Sequence, residues 1–311
     1  MASDRRSLAS FWQPQYWPTW IGIGILRLIC LLPQRLSLGI GRVLGRLVHA
    51  TGRRRTIVRR NIELCFPELS AEERDALGKR HYESLGMAII EMGLGRWASD
   101  RFHVRIGKLE GLEHLNAALD AGKGVILLSA HFTTLEIMGR VLAMNAPPYD
   151  AVYRKNRSEF ITELQRTGRE VSADATIEKR DIKRMVRSLR NGRAVWYAPD
   201  QSYDRKGSAV VEFFGQPTMH TTATSTLARL GKAVTLPFFP ERLADNTYVF
   251  RILPPLDDFP SDDEIADTKK YVDVLEQQIR RCPEQYFWVH KKFKNLPEGY
   301  PDPYADLDAL K

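Results

Sequence analysis

A continuous apolar run, Val125–Ser129, leads through Ala130 straight into His131, and Glu136 follows five positions later. A neutral imidazole can take the proton from a hydroxyl as it attacks an acyl carbonyl. A carboxylate on the other ring nitrogen would fix the tautomer and stabilise the imidazolium as it forms. His131 is therefore a candidate general base and Glu136 its candidate orienting partner. The spacing alone carries little weight, since a His-x4-acid pair arises about once by chance in a chain of this composition. Placement carries more: His131 stands where a strand gives way to a helix, and open α/β sheets collect ligands at the carboxyl ends of their strands. Each residue also has a structural reading, because Thr133-x-x-Glu136 matches a capping box and a histidine at a strand end can simply be hydrogen-bonded in place.

Two further strand ends carry polar residues. Tyr153-Arg154-Lys155-Asn156 follows one short run, and the planar fork of Arg154 suits a phosphate or carboxylate, with Asn156 beside it. Pro199-Asp200-Gln201 follows Ala194–Ala198; Asp200 can orient a polar group or buttress a helix start, with Gln201 next to it. Rival chemistries find no footing: the chain has no G-x-S-x-G, H-E-x-x-H or Walker motif. Gly22-x-Gly24 and Gly39-x-Gly41 lack the third glycine at the right spacing and sit on helical stretches. Three widely spaced cysteines (Cys30, Cys65, Cys282) build neither a disulfide framework nor a zinc site and suit a reducing compartment. No metal and no cofactor is expected.

The elements that must hold these residues alternate. From Gly122, candidate strands at Val125–Ser129, Ala151–Tyr153, Ala194–Ala198, Ala233–Phe239 and Tyr248–Leu253 are separated by helical stretches at Thr133–Asn145, Glu159–Glu170, Glu178–Asn191 and Thr221–Leu230. That alternation predicts an α/β fold with a mostly parallel central sheet flanked by helices. A last helix is expected at Asp262–Arg281. Leu36 to Asp100 reads as helical, with Ser70-Ala-Glu-Glu73 opening one helix as a capping box. The expected organisation is an N-terminal membrane anchor (1–35), a helical, membrane-facing part (36–120) and an α/β core with its C-terminal helix and tail (121–311), the last two forming one structural domain.

The 311 residues carry a formal net charge of +8, but residues 1–60 hold eleven arginines and one acid, Asp4. The excess belongs to one end, and the remaining 251 residues are slightly acidic. An arginine-rich arm suits nucleic acid or an anionic membrane. Its neighbours favour the membrane: Trp17–Leu32 is apolar save for Arg27, and Phe11, Trp12, Tyr16, Trp17 and Trp20 form an aromatic cluster of the kind found at a headgroup boundary. Sixteen residues fall just short of the roughly 17–25 needed to span hydrocarbon, so the segment is expected either to span or to lie deep in the interface. No small-residue cleavage site marks a signal peptide. Arginines after the stretch put the body on the cytoplasmic side. A second basic element, Lys179 to Arg193, holds seven bases and one acid, Asp181, beside the apolar face of Ile182, Met185, Val186 and Leu189. It reads as a solvated helix face, or as a dock for an acidic carrier protein or anionic headgroups.

The blocks HFTTLE (131–136), VYRKN (152–156), WYAPDQ (196–201), EFFGQPT (212–218) and PEQYFWVHKKFKNLPEG (283–299) resemble the late acyltransferases of lipid A biosynthesis. More distantly they are similar to glycerolipid acyltransferases with a His-x4-Asp/Glu core. FWQPQYWPTW (11–20) and RRNIELCFPELS (59–70) extend the resemblance over nearly the whole chain, and the first and last blocks look closest to the lauroyltransferase branch. The resemblance implies a glycerolipid acyltransferase-like fold and transfer of a fatty acyl group, lauroyl or similar, from acyl carrier protein. The acceptor it implies is the hydroxyl of a 3-hydroxyacyl chain on a phosphorylated Kdo-lipid A precursor, at the cytoplasmic face of the inner membrane. Residue by residue it makes His131 the general base, Glu136 its orienting partner, Arg154 a contact to acceptor phosphate, and Asp200 a structural or substrate-positioning residue. In one departure, Asp204 stands where some relatives have glycine. Two alternatives remain: an acyl-CoA-dependent or other lipid acyltransferase, and a non-catalytic membrane-peripheral lipid-binding protein. Nucleic acid is not an expected partner.

Overall fold

Val125 to Leu128 is buried at every position, which only the central strand of a sheet covered on both faces requires. The computed structural model describes residues 6–52, 54–203 and 207–308; Asp4 and Asp204, and two of the eleven arginines counted above (Arg5 and Arg53), lie outside these. The chain opens with α1 (Trp17–Ile29), α2 (Gln34–Thr51), α3 (Arg55–Cys65), α4 (Ala71–Trp97) and α5 (Asp100–Ile106). It then alternates β1 (Gly107–Glu110), α6 (Leu112–Asp120), β2 (Val125–Leu128), α7 (Leu135–Asn145), β3 (Tyr149–Tyr153), α8 (Glu159–Arg169), β4 (Ala175–Glu178), α9 (Ile182–Arg190) and β5 (Ala194–Tyr197). There follow β6 (Ser208–Phe213), β7 (Gln216–Thr221), α10 (Ala223–Gly231), β8 (Val234–Arg242), β9 (Tyr248–Ile252), α11 (Glu264–Arg281) and α12 (Ala305–Asp308).

Seven strands form one sheet in the order β1-β9-β8-β2-β5-β3-β4, parallel at every pairing except β8 with β9. The predicted fold class is therefore the observed one. Alternate residues of β2 point to opposite faces. Ile126 and Leu128 join a core with Val195, Ile279 and Trp288, whereas Val125 and Leu127 join Ile137, Trp196 and Phe250 on the other side. All five expected strands are present. The unexpected ones are β1 and β4, both at sheet edges, and the hairpin β6–β7, which lies outside the main sheet. Its turn passes through Phe214 and Gly215, both at positive φ, the backbone that suits a tight hairpin. The Ser70 capping box forms as predicted, Ser70 Oγ accepting from the Glu73 N–H and Glu73 Oε2 from the Ser70 N–H.

The N-terminal region departs from expectation. Among the described residues no helix is long and apolar enough to cross a membrane, and α1 has only 13 residues, so the spanning form of the predicted anchor is not supported. The aromatic cluster is partly internal: Phe11 is buried, and Phe11, Tyr16 and Trp20 pack on Phe160 of α8 at 5.1–5.3 Å between ring centroids. Arg27 lies over the Trp97 ring. Trp12 and Trp17 stay exposed. The inward face of α2 is built from Ser37, Leu38, Gly41 and Gly45. A Cβ added at Gly45 would fall 2.0 Å from the Tyr82 carbonyl oxygen of α4, and one at Gly41 would fall 2.9 Å from the Gly86 carbonyl oxygen, so Gly45 and Gly41, the latter from the Gly39-x-Gly41 pair, permit a close helix crossing.

What these helices turn outward is apolar. Trp17, Ile21, Ile25 and Leu28 line one exposed face of α1, Leu31 and Leu32 follow, and Leu36, Ile40, Val43 and Leu47 line an exposed face of α2. The spacings of three and four make each set a continuous stripe. Part of the basic charge is also spoken for within the protein. Arg42 donates to Asn246, Arg46 pairs with Glu83, Arg54 donates to the Val289 carbonyl, and Arg60 pairs with Asp306.

Candidate active site

The parallel register of β2 with β5 sets Leu128 beside Tyr197. Three residues further along each chain stand His131 and Asp200, and they meet: His131 Nδ1 lies 2.5 Å from Asp200 Oδ1. An ionised carboxylate only accepts hydrogen bonds, so the neutral imidazole carries its proton on Nδ1 and leaves the Nε2 lone pair for another group. Asp200 is almost fully enclosed, while about a third of the His131 side chain reaches solvent. Burial alone would push the Asp200 carboxyl up. The imidazole of His131, by charge and hydrogen bond, and the nearby Lys292 ammonium outweigh that and hold it well below the ordinary carboxylate range.

Glu136 lies elsewhere. It stands in the first turn of α7, and its Oε1 lies 3.8 Å from Arg169 Nε. Arg169 also sits over the Trp196 ring and donates to the Val152 carbonyl. The pair lines a recess of about 340 Å³ with Leu135, Met138, Tyr149 and Trp196. The capping box considered for Thr133 and Glu136 does not form. The cap position of α7 is Thr134, without a side-chain bond, and Thr133 Oγ1 instead lies 2.7 Å from Ser84 Oγ and accepts from Arg242. Arg242 itself is buried on Glu91, which also accepts from Tyr248. This network ties the turn after His131 to α4 and β8.

Gln201 lines the same recess as His131 and Asp200, an opening of about 220 Å³ shared with Asn61, Tyr286, His290 and Lys292. Arg154 and Asn156 do not. Arg154 is exposed at the end of β3, and Asn156 is bound to Gln165 and Thr162 at the start of α8. The basic stretch around α9 keeps Arg180, Lys183, Arg184 and Arg187 exposed, while Arg190 donates to the Leu230 carbonyl and Arg193 pairs with Asp150 and Asp174. Lys179, just before α9, lies over the ring of Tyr203, three residues past Asp200. The exposed bases thus begin beside the loop that carries Asp200.

Sequence reasoning missed the C-terminal segment as a supplier of site residues. The turn residues Phe132 and Tyr286 form an isolated bridge, and the Phe287 N–H donates to the His131 carbonyl. Tyr286 Oη donates to Asp200 Oδ2, and Lys292 Nζ donates to the Asp200 carbonyl. In the sequence the segment stands out only as a block of the family resemblance, and its one local chemical signal is two lysines after a histidine. Among the described residues no cluster of side chains could hold a metal ion. The recess offers a partly exposed base, a buried carboxylate behind it and an open edge, the parts needed for proton transfer from a hydroxyl.

The sequence model of the bacterial lipid A biosynthesis acyltransferases matches residues 6–295. The chain belongs to that family. A lipid A biosynthesis lauroyltransferase of Escherichia coli (strain K12) is 38% identical over 94% of this chain and 96% of its own length. A palmitoleoyltransferase of the same organism is 37% identical over 93% and 95%, and its myristoyltransferase is 27% identical over 96% and 94%. Lipid A acyltransferases transfer acyl groups, so the protein is an enzyme of that class, using an acyl donor and a lipid A acceptor. The site described above lies inside the matched region.

Proposed function

We propose that the protein transfers a fatty acyl chain, lauroyl or of similar length, from acyl carrier protein to the hydroxyl of a 3-hydroxyacyl chain on a phosphorylated Kdo-lipid A precursor. The observation that carries the mechanism is the 2.5 Å contact between His131 Nδ1 and Asp200 at the carboxyl end of the sheet. His131 Nε2 removes the hydroxyl proton as the oxygen attacks the thioester carbonyl. The tetrahedral intermediate expels the thiolate, which takes the proton back from the imidazolium to leave as thiol. Asp200 holds the imidazole in the required tautomer. Glu136 serves the site one contact removed, by fixing Arg169 over Trp196. Arg154, exposed and at a strand end, is the contact for acceptor phosphate, with Asn156 and Gln201 on the rim.

The donor docks through charge. Arg180, Lys183, Arg184 and Arg187 form an exposed basic face next to the Asp200 loop, and opposite charges across such a face steer encounter and fix orientation. Lys183→Glu with Arg184→Glu is expected to raise KM for an acyl carrier protein donor about tenfold or more, while KM for a carrier-free pantetheine thioester stays unchanged. Equal effects on both donors, or faster turnover with acyl-CoA than with the carrier protein, would contradict this donor. The product test is mass spectrometry of the lipid: one acyl chain gained in ester linkage on the hydroxyacyl precursor is expected, and transfer only to another lipid overturns the acceptor.

Attachment to the cytoplasmic face of the inner membrane is interfacial in this reading. The stripes on α1 and α2 enter the headgroup region, with the exposed Arg35, Arg55 and Arg59 nearby in the chain to meet anionic lipid. Replacing both Ile21 and Leu28 by Asp removes two exposed apolar contacts and adds two like charges. Vesicle co-sedimentation is expected to show binding to anionic vesicles weakened about a hundredfold with the unfolding temperature unchanged. Undiminished binding would remove α1 from the interface.

A further inference from the structure

Burying a lysine costs free energy unless the fold uses its charge. Lys292 is 2% exposed, yet among the described residues no carboxylate oxygen lies within 4 Å of its Nζ. Its ammonium donates to the main-chain carbonyl of Asp200 at 2.5 Å, lies 3.2 Å from His220 Nε2, and sits 4.6 Å from the centre of the Phe213 ring. His220 is buried, and burial together with the Lys292 charge keeps it neutral, so its Nε2 accepts. Burial lowers Lys292 itself to about 8, which leaves it mostly protonated near neutral pH. Six residues earlier, Tyr286 Oη donates to Asp200 Oδ2 at 3.1 Å, the carboxylate oxygen that His131 does not use. Between them, the Phe287 N–H holds the His131 carbonyl at 3.0 Å.

This strip is itself anchored. Asn61 of α3 donates to the carbonyls of Trp288 and His290, both at 2.7 Å, and the Gln285 carbonyl accepts from the Thr133 N–H. Both members of the proposed catalytic pair are thus gripped from one C-terminal strip, which is in turn bound to the N-terminal helices.

We infer that Tyr286 and Lys292 are positioning residues for acyl transfer: they hold both ends of Asp200 so that its free oxygen keeps the His131 imidazole aimed at the acceptor hydroxyl. The inference rests on His131 being the base. A carboxylate with one oxygen unheld can rotate about its side-chain bonds, and a small misplacement of the base lowers the rate without changing substrate affinity.

The test measures kcat and KM for Tyr286→Phe and Lys292→Met, alone and in an Asp200→Asn background. Each single change is expected to lower kcat about tenfold or more, with both KM values within about twofold. In the Asp200→Asn background the further loss is expected to stay below about twofold, since there is no longer an orienting carboxylate to position. Unchanged kcat in Tyr286→Phe, or the same factor repeated in the Asp200→Asn background, overturns the inference. Tyr286→Phe removes a single oxygen and decides the matter if Lys292→Met fails to fold. His131→Ala, measured alongside, separates the two claims: full activity there overturns the base itself, whereas an inactive His131→Ala beside fully active Tyr286→Phe and Lys292→Met overturns only the positioning role.

Discussion

Replacing His131 with alanine is expected to lower the turnover number for acyl transfer by about 10²–10⁴-fold, the usual contribution of a positioned general base. The fold should survive. The imidazole is about one-third exposed and, among the described residues, makes one side-chain hydrogen bond, to Asp200. Losing that bond leaves one oxygen of a buried carboxylate without its partner, at a cost of about 1–3 kcal/mol, which a thermal unfolding curve would register as a modest shift. Because the missing ring leaves room at a partly open recess, added imidazole should restore part of the rate. Near-normal turnover in His131→Ala would remove the histidine from the chemistry.

Asp200→Asn should be nearly as damaging, for a different reason. The carboxylate accepts from Nδ1–H and so leaves Nε2 free to act as base. An amide NH₂ in its place donates to Nδ1 and favours the tautomer protonated on Nε2, which cannot take a proton. A histidine held in the wrong tautomer is lost as a base, so the fall in turnover should approach that of His131→Ala, about 10²–10⁴-fold. Size and shape hardly change, so KM for donor and acceptor should stay near normal. The readout is steady-state kinetics of the purified variant. A large rise in KM with kcat preserved would make Asp200 a binding residue instead.

The fold class was legible because β2, β3, β5, β8 and β9 are short apolar runs separated by helical periodicity, a local signal. The edge strands β1 and β4 were not, since each is only half buried and four residues long, which leaves little hydrophobic contrast. His131 was legible from its position after an apolar strand. Its pairing was not: the sequence offers Glu136 five residues away, and Asp200, which reads at its own strand end as able to orient a polar group, is 69 residues distant. What joins them is strand order: β5 lies beside β2, and the register aligns their ends. Nothing local encodes that adjacency. The same holds for Tyr286 and Lys292, which arrive from the far end of the chain.

The anchor shows the opposite error. Composition read correctly as apolar and aromatic, but it could not tell inward from outward faces. Part of the cluster packs on Phe160, and α2 turns Ser37, Leu38, Gly41 and Gly45 inward and Leu36, Ile40, Val43 and Leu47 outward. The basic charge divides in the same way. Some arginines bind protein carbonyls and carboxylates, and others remain exposed, a distinction that net charge cannot draw.

His131 and Asp200 act as one unit in this mechanism, and the most direct measurement of that is the single-turnover rate of transfer of a labelled acyl chain by the double variant His131→Ala/Asp200→Asn. Residues that act as a unit lose their joint contribution once. The double variant should therefore transfer the label no more than about twofold more slowly than His131→Ala alone. Multiplication of the two single losses would show that Asp200 works independently of the histidine and would contradict the mechanism.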